Sequence, residues 1–124
     1  MQKSKEISIK GRPYPIRIKR CNDHQMAVAM GDAVHIIDNR SETFVQTFVG
    51  VGCQLSSIQP VTEHCIFFGT YKGGFGMLDD RRSQFIRWRD DKFNRGSICD
   101  IIKLGDRVVS CDYHGGIFSW KLAE

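Results

Sequence analysis

The sequence predicts an all-β protein made of short antiparallel strands, and three observations carry that prediction. Segments rich in β-branched and aromatic residues alternate with clusters of Gly, Asn, Asp and Pro, which is typical of strands joined by tight turns. No stretch shows the longer apolar period of an amphipathic helix. The apolar-then-acidic run Ile36 to Arg40 also recurs as Met77 to Arg81, 41 residues on, and a third copy, Ser119 to Leu122, follows after 42 more.

A strand precedes each of these three runs, so that every repeat contains a hairpin. The preceding strands are Met26 to Gly31, Cys65 to Gly69 and Val108 to Cys111. Gly31-Asp32 suits a two-residue turn, whereas the second and third hairpins share a Tyr-x-Gly-Gly turn that begins at Tyr71 and at Tyr113. Glycine adopts the positive φ angles of such turns at little steric cost.

Further strands on both sides of the hairpin bring each unit to four strands. Alternating segments begin upstream at Ile16, Leu55 and Ile98, and strand-like segments follow the first two hairpins at residues 41–48 and 83–88. Four strands in about 41 residues is the blade period of a β-propeller. We therefore expect one domain over residues 1–124, with a lone strand at 6–11, blade one at 15–48, blade two at 53–90 and an incomplete blade three at 97–124.

The third hairpin, residues 107–121, resembles the central hairpin of a WD repeat. Trp120-Lys121 stands where that family has Trp-Asp, and the equivalent pairs Ile37-Asp38 and Leu78-Asp79 keep the acid. The Gly-His dipeptide that often opens a WD repeat is missing from every unit. The resemblance implies degenerate, WD-like blades that serve as a non-catalytic scaffold or protein–protein interaction module.

The predicted strand order of one, four, four and three makes the two ends of the chain complementary. The lone strand, with Ile7 and Ile9, would complete the last blade of a ring. Three blades are too few for a ring, since known propellers have about four to eight. An open edge and an uncovered apolar face favour association, so we expect two chains to close a six-bladed propeller as a homodimer. The alternatives are that the remaining blades belong to a longer polypeptide or to another protein.

Composition places the chain among ordinary globular proteins. Of its 124 residues, 41% are hydrophobic and 26% are charged, so a packed core is expected. The longest apolar runs, such as Cys65 to Phe68, fall far short of the roughly 18 residues of a membrane span, and the polar start is unlike a signal peptide. Five cysteines without a Cys-x-x-Cys pair favour reduced thiols over disulfides. These features predict a cytoplasmic or nuclear protein.

Nothing in the sequence resembles a catalytic or metal-binding group. The four histidines lie at turns or within strands with no repeated partner spacing, and they are His24, His35, His64 and His114. Cys111 and His114 have a Cys-x-x-His spacing, but a second ligand pair is missing, which favours a buried thiol and a solvated turn imidazole. The paired glycines lack the Lys-Ser/Thr of a phosphate loop. The sequence predicts no enzyme, no metal and no cofactor.

Partner binding is assigned to the loops of the repeated turns, because propeller loops carry specificity on a rigid scaffold. The predicted contact residues are Tyr71, Lys72, Tyr113 and His114. Tyrosine is enriched among the residues that dominate binding energy at interfaces. The alternative for both tyrosines is packing within their own hairpins.

Basic residues indicate a second kind of partner for a chain whose net charge is +4. The candidate contacts to nucleic acid or anionic lipid headgroups are Arg12, Arg17, Arg81, Arg82, Arg87 and Arg89. The alternative is that these charges protect exposed edge strands against unwanted pairing.

Overall fold

Eleven strands form three antiparallel sheets in the part of the chain that the structure describes, and these sheets are the predicted blades. The structure, a computed structural model, describes residues 17–48, 54–79, 81, 84–88 and 96–121. Blade one consists of β1 (Arg17–Arg20), β2 (Gln25–Met30), β3 (Ala33–Asp38) and β4 (Thr43–Phe48). Blade two consists of β5 (Leu55–Pro60), β6 (Cys65–Thr70), β7 (Phe75–Asp79) and β8 (Gln84–Trp88). Blade three consists of β9 (Ile98–Leu104), β10 (Arg107–Asp112) and β11 (Ile117–Lys121).

Strands pair in chain order within each sheet, so the predicted all-β fold and its runs of four, four and three strands are confirmed. Each blade is a simple meander because its connections are short. The lone strand expected at residues 6–11, with Ile7 and Ile9, lies outside the described residues.

Two tight hairpins depend on a glycine with positive φ. Gly31 and Gly105 have φ values of 62° and 60°, and each is followed by an aspartate that completes a two-residue turn. A side chain at either glycine would meet no neighbouring atom, so the constraint is the backbone conformation and not the space available. This matches the requirement of a type II′ turn for positive φ at its first central residue.

Direct hydrogen bonds join neighbouring blades near their first strands. The backbone N–H of Leu55 in blade two donates to the carbonyl of Gly31 in blade one at 2.7 Å. The buried hydroxyl of Ser56 donates to the carbonyl of Ile98 in blade three at 2.6 Å. Ser56 reaches across because β5 has a bulge at this residue, and β9 is irregular at the equivalent residue, Cys99.

Two apolar clusters fill the spaces between the blades. The first, between blades one and two, contains Ala27, Ala29, Val34, Ile36, Phe48, Leu55, Ile58, Ile66, Phe68 and Leu78, with Cys21 packed against it. The second, between blades two and three, contains Val61, Phe67, Phe75, Ile98, Ile101 and Val108, with Cys65, Met77 and Trp120 packed against it. Blade two therefore has both faces covered, and burial of these side chains is the main stabilising contribution of the fold.

Strand register shows that the two clusters share six positions, in addition to the equivalent pairs Leu55/Ile98 and Ile36/Met77. Residues that pair directly on neighbouring strands point to the same face of a sheet, which assigns each side chain to a face. We call the face toward the next blade in the chain the forward face, and the face toward the preceding blade the backward face. In the first cluster, Cys21, Ala27 and Val34 on a forward face meet Ile58, Ile66 and Leu78 on a backward face. In the second, the equivalents are Val61, Phe67 and Phe75 against Ile101, Val108 and Trp120.

Blades two and three approach each other closely at Gly69 in β6. A methyl group added there would lie 2.5 Å from Cβ of Ile98 and 2.8 Å from the hydroxyl oxygen of Ser57. The absence of a side chain at Gly69 is thus what lets β9 pack against β6.

Gly69→Ala should destabilise the fold by about 1–3 kcal/mol, because the new methyl group forces β6 and β9 apart. Urea unfolding followed by circular dichroism would measure this as a lower midpoint with an unchanged slope. Ser119→Ala, at an exposed position in β11, is the control and should leave the midpoint in place. Equal midpoints for the two variants would mean that the blades do not meet at Gly69.

Candidate interaction surface

The two Tyr-x-Gly-Gly turns are built by the same hydrogen bonds. In the turn between β6 and β7, the Thr70 backbone N–H donates to the Gly74 carbonyl at 3.0 Å, and the Gly74 N–H donates to the Thr70 hydroxyl oxygen at 2.8 Å. In the turn between β10 and β11, Asp112 and Gly116 make the same two bonds at 2.9 and 2.8 Å, the second to the carboxylate. A buried side-chain oxygen at the start of each turn therefore fixes its backbone.

The same turns are tied to the beginning of their own blades. The Tyr71 N–H donates to the Gln54 carbonyl at 3.0 Å, and the Tyr113 N–H donates to the Ser97 carbonyl at 2.9 Å. Gln54 and Ser97 each stand immediately before the first strand of a blade. The Gly31 turn of blade one bonds in the same way to Leu55, the first residue of β5. The turns between the second and third strands of the three blades therefore lie at one end of the strands, which we call the turn rim.

The blade-three turn presents its side chains to solvent more fully than the blade-two turn. Tyr113 is 76% exposed and Tyr71 is 38% exposed, while Lys72 and His114 are both exposed. The rings of Tyr113 and His114 are 5.6 Å apart and perpendicular, so they form one contiguous projecting surface. Packing within the hairpin therefore does not describe Tyr113.

The opposite end of the blades carries a repeated Asp-x-Arg turn. The Asp38 carboxylate accepts from the Arg40 backbone N–H at 2.8 Å and from its guanidinium at 3.0 Å. Asp79 and Arg81 repeat this arrangement: the Asp79 carboxylate accepts from the Arg81 backbone N–H at 3.0 Å and from its guanidinium at 2.9 Å. The side-chain hydrogen bond from Arg40, followed by its backbone N–H, lowers the pKa of Asp38 from 3.8 to about 2.

The two predicted anion-binding arginines whose side chains the structure describes lie at opposite ends of the strands. Arg17 is exposed at the start of β1, at the turn rim, whereas Arg81 lies at the other end of the strands with its guanidinium held by Asp79. Among the other four, Arg12, Arg82 and Arg89 lie outside the described residues, and Arg87 is described only as part of the β8 backbone. The charge of Arg81 is therefore compensated locally by the Asp79 carboxylate.

Two histidines do share a repeated position, which the sequence analysis missed. The backbone N–H of His24 donates to the Asn22 side-chain oxygen at 2.8 Å, and that of His64 donates to the Thr62 hydroxyl oxygen at 3.3 Å. Both residues occupy the turn between the first two strands of a blade. The different residues at 22 and 62 hide this repeat, in which the backbone N–H of each histidine donates to the side chain two residues earlier.

No cluster of side chains suited to a metal ion occurs within the described ranges. The Cys111 thiol is partly buried and His114 is exposed at the turn rim. Local desolvation, reinforced by the nearby Cys111, Asp112 and Asp100, raises the pKa of the exposed Cys99 thiol, which disfavours its thiolate form. No helix that could cross a membrane is present in the same ranges.

Known structures identify the architecture. A computationally designed protein, Ika4, superposes with a TM-score of 0.70 at 14% identity, over 86% of this chain and 64% of that chain. Raptor from Chaetomium thermophilum gives 0.70 at 18% identity, over 82% of this chain and 10% of that one. The β-propeller domain of Cps50 (Swd1) from Myceliophteria thermophila gives 0.67 at 12% identity, over 94% of this chain and 38% of that one.

The chain has a β-propeller fold. It spans less than two thirds of each of these three proteins, and at such identities the likeness concerns the fold alone. No protein-family model and no curated protein sequence matches the chain. The degenerate WD-repeat assignment therefore stays a prediction.

Asp112→Ala should loosen the blade-three turn. The substitution leaves the His114 and Gly116 N–H groups without the carboxylate that accepts from both, at a cost of about 1–3 kcal/mol in the free energy of unfolding. Amide hydrogen exchange at these two residues should accelerate. Asp112→Asn keeps an oxygen at the same place and should exchange slowly; slow exchange in Asp112→Ala would show that the side-chain acceptor does not hold the turn.

Arg40→Gln should raise the pKa of Asp38 from about 2 toward 3.8, because the guanidinium hydrogen bond is the largest cause of the lowered pKa. In the unchanged protein, the folded state binds this proton more weakly than the unfolded state. The carboxylate therefore contributes stability above pH 3.8 that is lost as the pH falls toward 2. Carbon-13 NMR titration of the carboxyl group measures the shift, and Arg107→Gln in another blade is the control. An Asp38 pKa that stays near 2 without the Arg40 guanidinium would contradict this assignment.

Proposed function

We propose that this chain is a non-catalytic protein-interaction module that binds its partner through the turn rim, mainly through Tyr113 and His114. The observation that supports this proposal is the contrast between backbone and side chains in the blade-three turn. Its backbone is fixed by five hydrogen bonds, and its aromatic side chains project into solvent.

A fixed backbone with projecting aromatic side chains suits binding for two physical reasons. A turn that is already ordered loses little conformational entropy when a partner docks on it. Tyrosine offers a large contact area with a polar tip and few rotamers to immobilise. Lys72 and His114 add positive or ionisable groups at equivalent places in the two turns, which favours a partner surface that carries carboxylates.

The polar side chains of these turns support a binding role over a catalytic one. The oxygens of Thr70 and Asp112 are buried and already accept hydrogen bonds from the turn backbone. A general base must instead be able to reach a substrate proton. These oxygens hold the turn in place, and the exposed rings beyond them are left for contact.

We also propose that the module works as part of a closed ring. Three blades lie below the range of about four to eight in which propellers close, so further blades would have to come from a second copy or from a longer polypeptide.

Binding should be lost when the projecting rings are removed. Wild-type chain and the Tyr113→Ala/His114→Ala variant would each be immobilised, and proteins retained from a cell extract compared by quantitative mass spectrometry. We expect a group of proteins retained by the wild type to fall at least about tenfold with the variant. Lys121→Ala, an exposed change in the last strand, is the control and should retain that group.

The competing hypothesis, a basic surface for nucleic acid or anionic lipid, is tested on the same variants. Labelled DNA and phosphatidylserine vesicles would be titrated from about 50 to 200 mM salt, over which phosphate contacts lose orders of magnitude in affinity. Steeply salt-dependent binding that survives the Tyr113/His114 changes, with unchanged protein retention, would overturn the rim proposal.

A further inference from the structure

The outer blades each carry an apolar face whose positions are buried elsewhere in the chain. Leu104 and Ile117 on the forward face of blade three are 58% and 74% exposed. Their equivalents in blade two, Val61 and Phe75, are buried against blade three. Ile18 on the backward face of blade one is 60% exposed, whereas the equivalent Ile58 of blade two is buried.

Strand pairing fixes these equivalences. Leu104 pairs with Arg107, two residues before Val109, and Ile117 pairs with Cys111, two residues after it. Val61, Phe67 and Phe75 are related in the same way within blade two. On blade one, Ile18 pairs with Val28, and Met26 pairs with Ile37. Ile58, Ile66 and Leu78 have this same arrangement in blade two.

Ser119 of blade three is polar at the place that Met77 occupies in blade two, but six interblade positions on the two outer faces are apolar. They are Leu104, Val109 and Ile117 on the forward face of blade three, and Ile18, Met26 and Ile37 on the backward face of blade one. Each set of three is apolar, like the three side chains that the equivalent face contributes to a cluster inside the chain. Leu104, Ile117 and Ile18 are exposed, Val109 and Met26 are partly exposed, and Ile37 is buried at 4% exposure. Exposed apolar side chains in this arrangement mark an interaction surface whose geometry is that of a blade-to-blade contact.

We infer that the forward face of blade three docks on the backward face of blade one of a second copy of this chain, and that two such contacts close a six-bladed ring. The inference rests on the proposed ring and names its partner. The contact continues the packing of the two internal clusters, with Leu104, Val109 and Ile117 of one copy against Ile18, Met26 and Ile37 of the other. Each contact joins two different faces, and the two contacts between the two copies close the ring. Neither apolar face therefore remains exposed.

The expected pairing of side chains follows from the second internal cluster. There the Phe75 ring packs at a tilt of 46° against the Trp120 ring with centroids 5.2 Å apart, and these two residues correspond to Ile117 and Ile37. Ile117 of one copy should therefore lie against Ile37 of the other, and Leu104 and Val109 against Ile18.

The test is the mass of the purified chain by size-exclusion chromatography with light scattering. We expect twice the chain mass of 14.2 kDa. Ile117→Asp and Ile18→Arg should each weaken association on the order of 100-fold or more, because a charge would be desolvated in an apolar contact. Both positions are exposed within the single chain, so circular dichroism should still show folded blades. Tyr113→Asp, an equally exposed change at the turn rim, is the control and should keep the doubled mass.

Mixing the two impaired variants tests the pairing of faces. A mixed dimer of the Ile117→Asp chain and the Ile18→Arg chain has one contact with both native faces and one with opposite charges. Doubled mass should therefore return on mixing, although each variant alone has the single-chain mass. An unmixed wild type of 14.2 kDa, a larger open polymer, or a dimer that both substitutions leave intact would overturn the inference.

The mass of the dimer and partner binding through the turn rim can be tested independently. Loss of the dimer with retained partner binding would leave the rim proposal standing and bear on the faces alone. Undiminished partner binding by Tyr113→Ala/His114→Ala at doubled mass would overturn the rim proposal and leave the contact between faces standing.

Discussion

Apolar packing between neighbouring blades is the interaction on which the rest of this structure depends. A single antiparallel meander of three or four strands buries one face at most, and each blade here has apolar side chains on both faces. Blade two meets this constraint completely, because Leu55 and Ile58 contribute to one interblade cluster and Phe67 and Phe75 to the other. Among the described residues, blade one and blade three each pack only one face against a neighbouring blade. This asymmetry between the middle blade and the outer blades is the basis of the proposed association of two copies.

Close approach between blades has consequences at the level of single atoms. Gly69 must lack a side chain because β9 passes directly over it, and Ser56 uses its hydroxyl to reach the carbonyl of Ile98. These contacts lie near the turn rim, where Leu55 also bonds to Gly31. The packing that stabilises the fold therefore also positions the turns, and the rim inherits its rigidity from the interblade contacts.

Strand content and the blade repeat could be predicted from the sequence because both follow from local patterns. Alternating apolar residues set the strands, and the apolar-acidic runs ending at Asp38 and Asp79 set the period. The equivalence of Thr70 and Asp112 was missed, since a hydroxyl and a carboxylate look unrelated until both are seen to accept a turn N–H. The Arg81 pairing had a signal that was not used: Asp-x-Arg occurs at both Asp38 and Asp79.

Interblade positions were beyond prediction from a single sequence. Ala27, Phe67 and Val109 occupy one such position, and their sizes differ so much that no repeat is visible in the letters. Only strand register, with its bulges in β5 and β9, shows that they are equivalent. The exposure of Tyr113 also depends on tertiary structure, because Tyr71 in the same turn sequence is half as exposed.

The central claim, that the outer faces of blades one and three pack on each other as the internal faces do, is a claim about contacts between copies. Isotope-filtered NMR on a mixture of two differently methyl-labelled samples of the chain measures such contacts directly. The account predicts intermolecular cross-peaks from the Ile18 methyl groups to Leu104 and Val109, and from Ile37 to Ile117. Intermolecular cross-peaks confined to other residues, or none between these methyl groups, would contradict it.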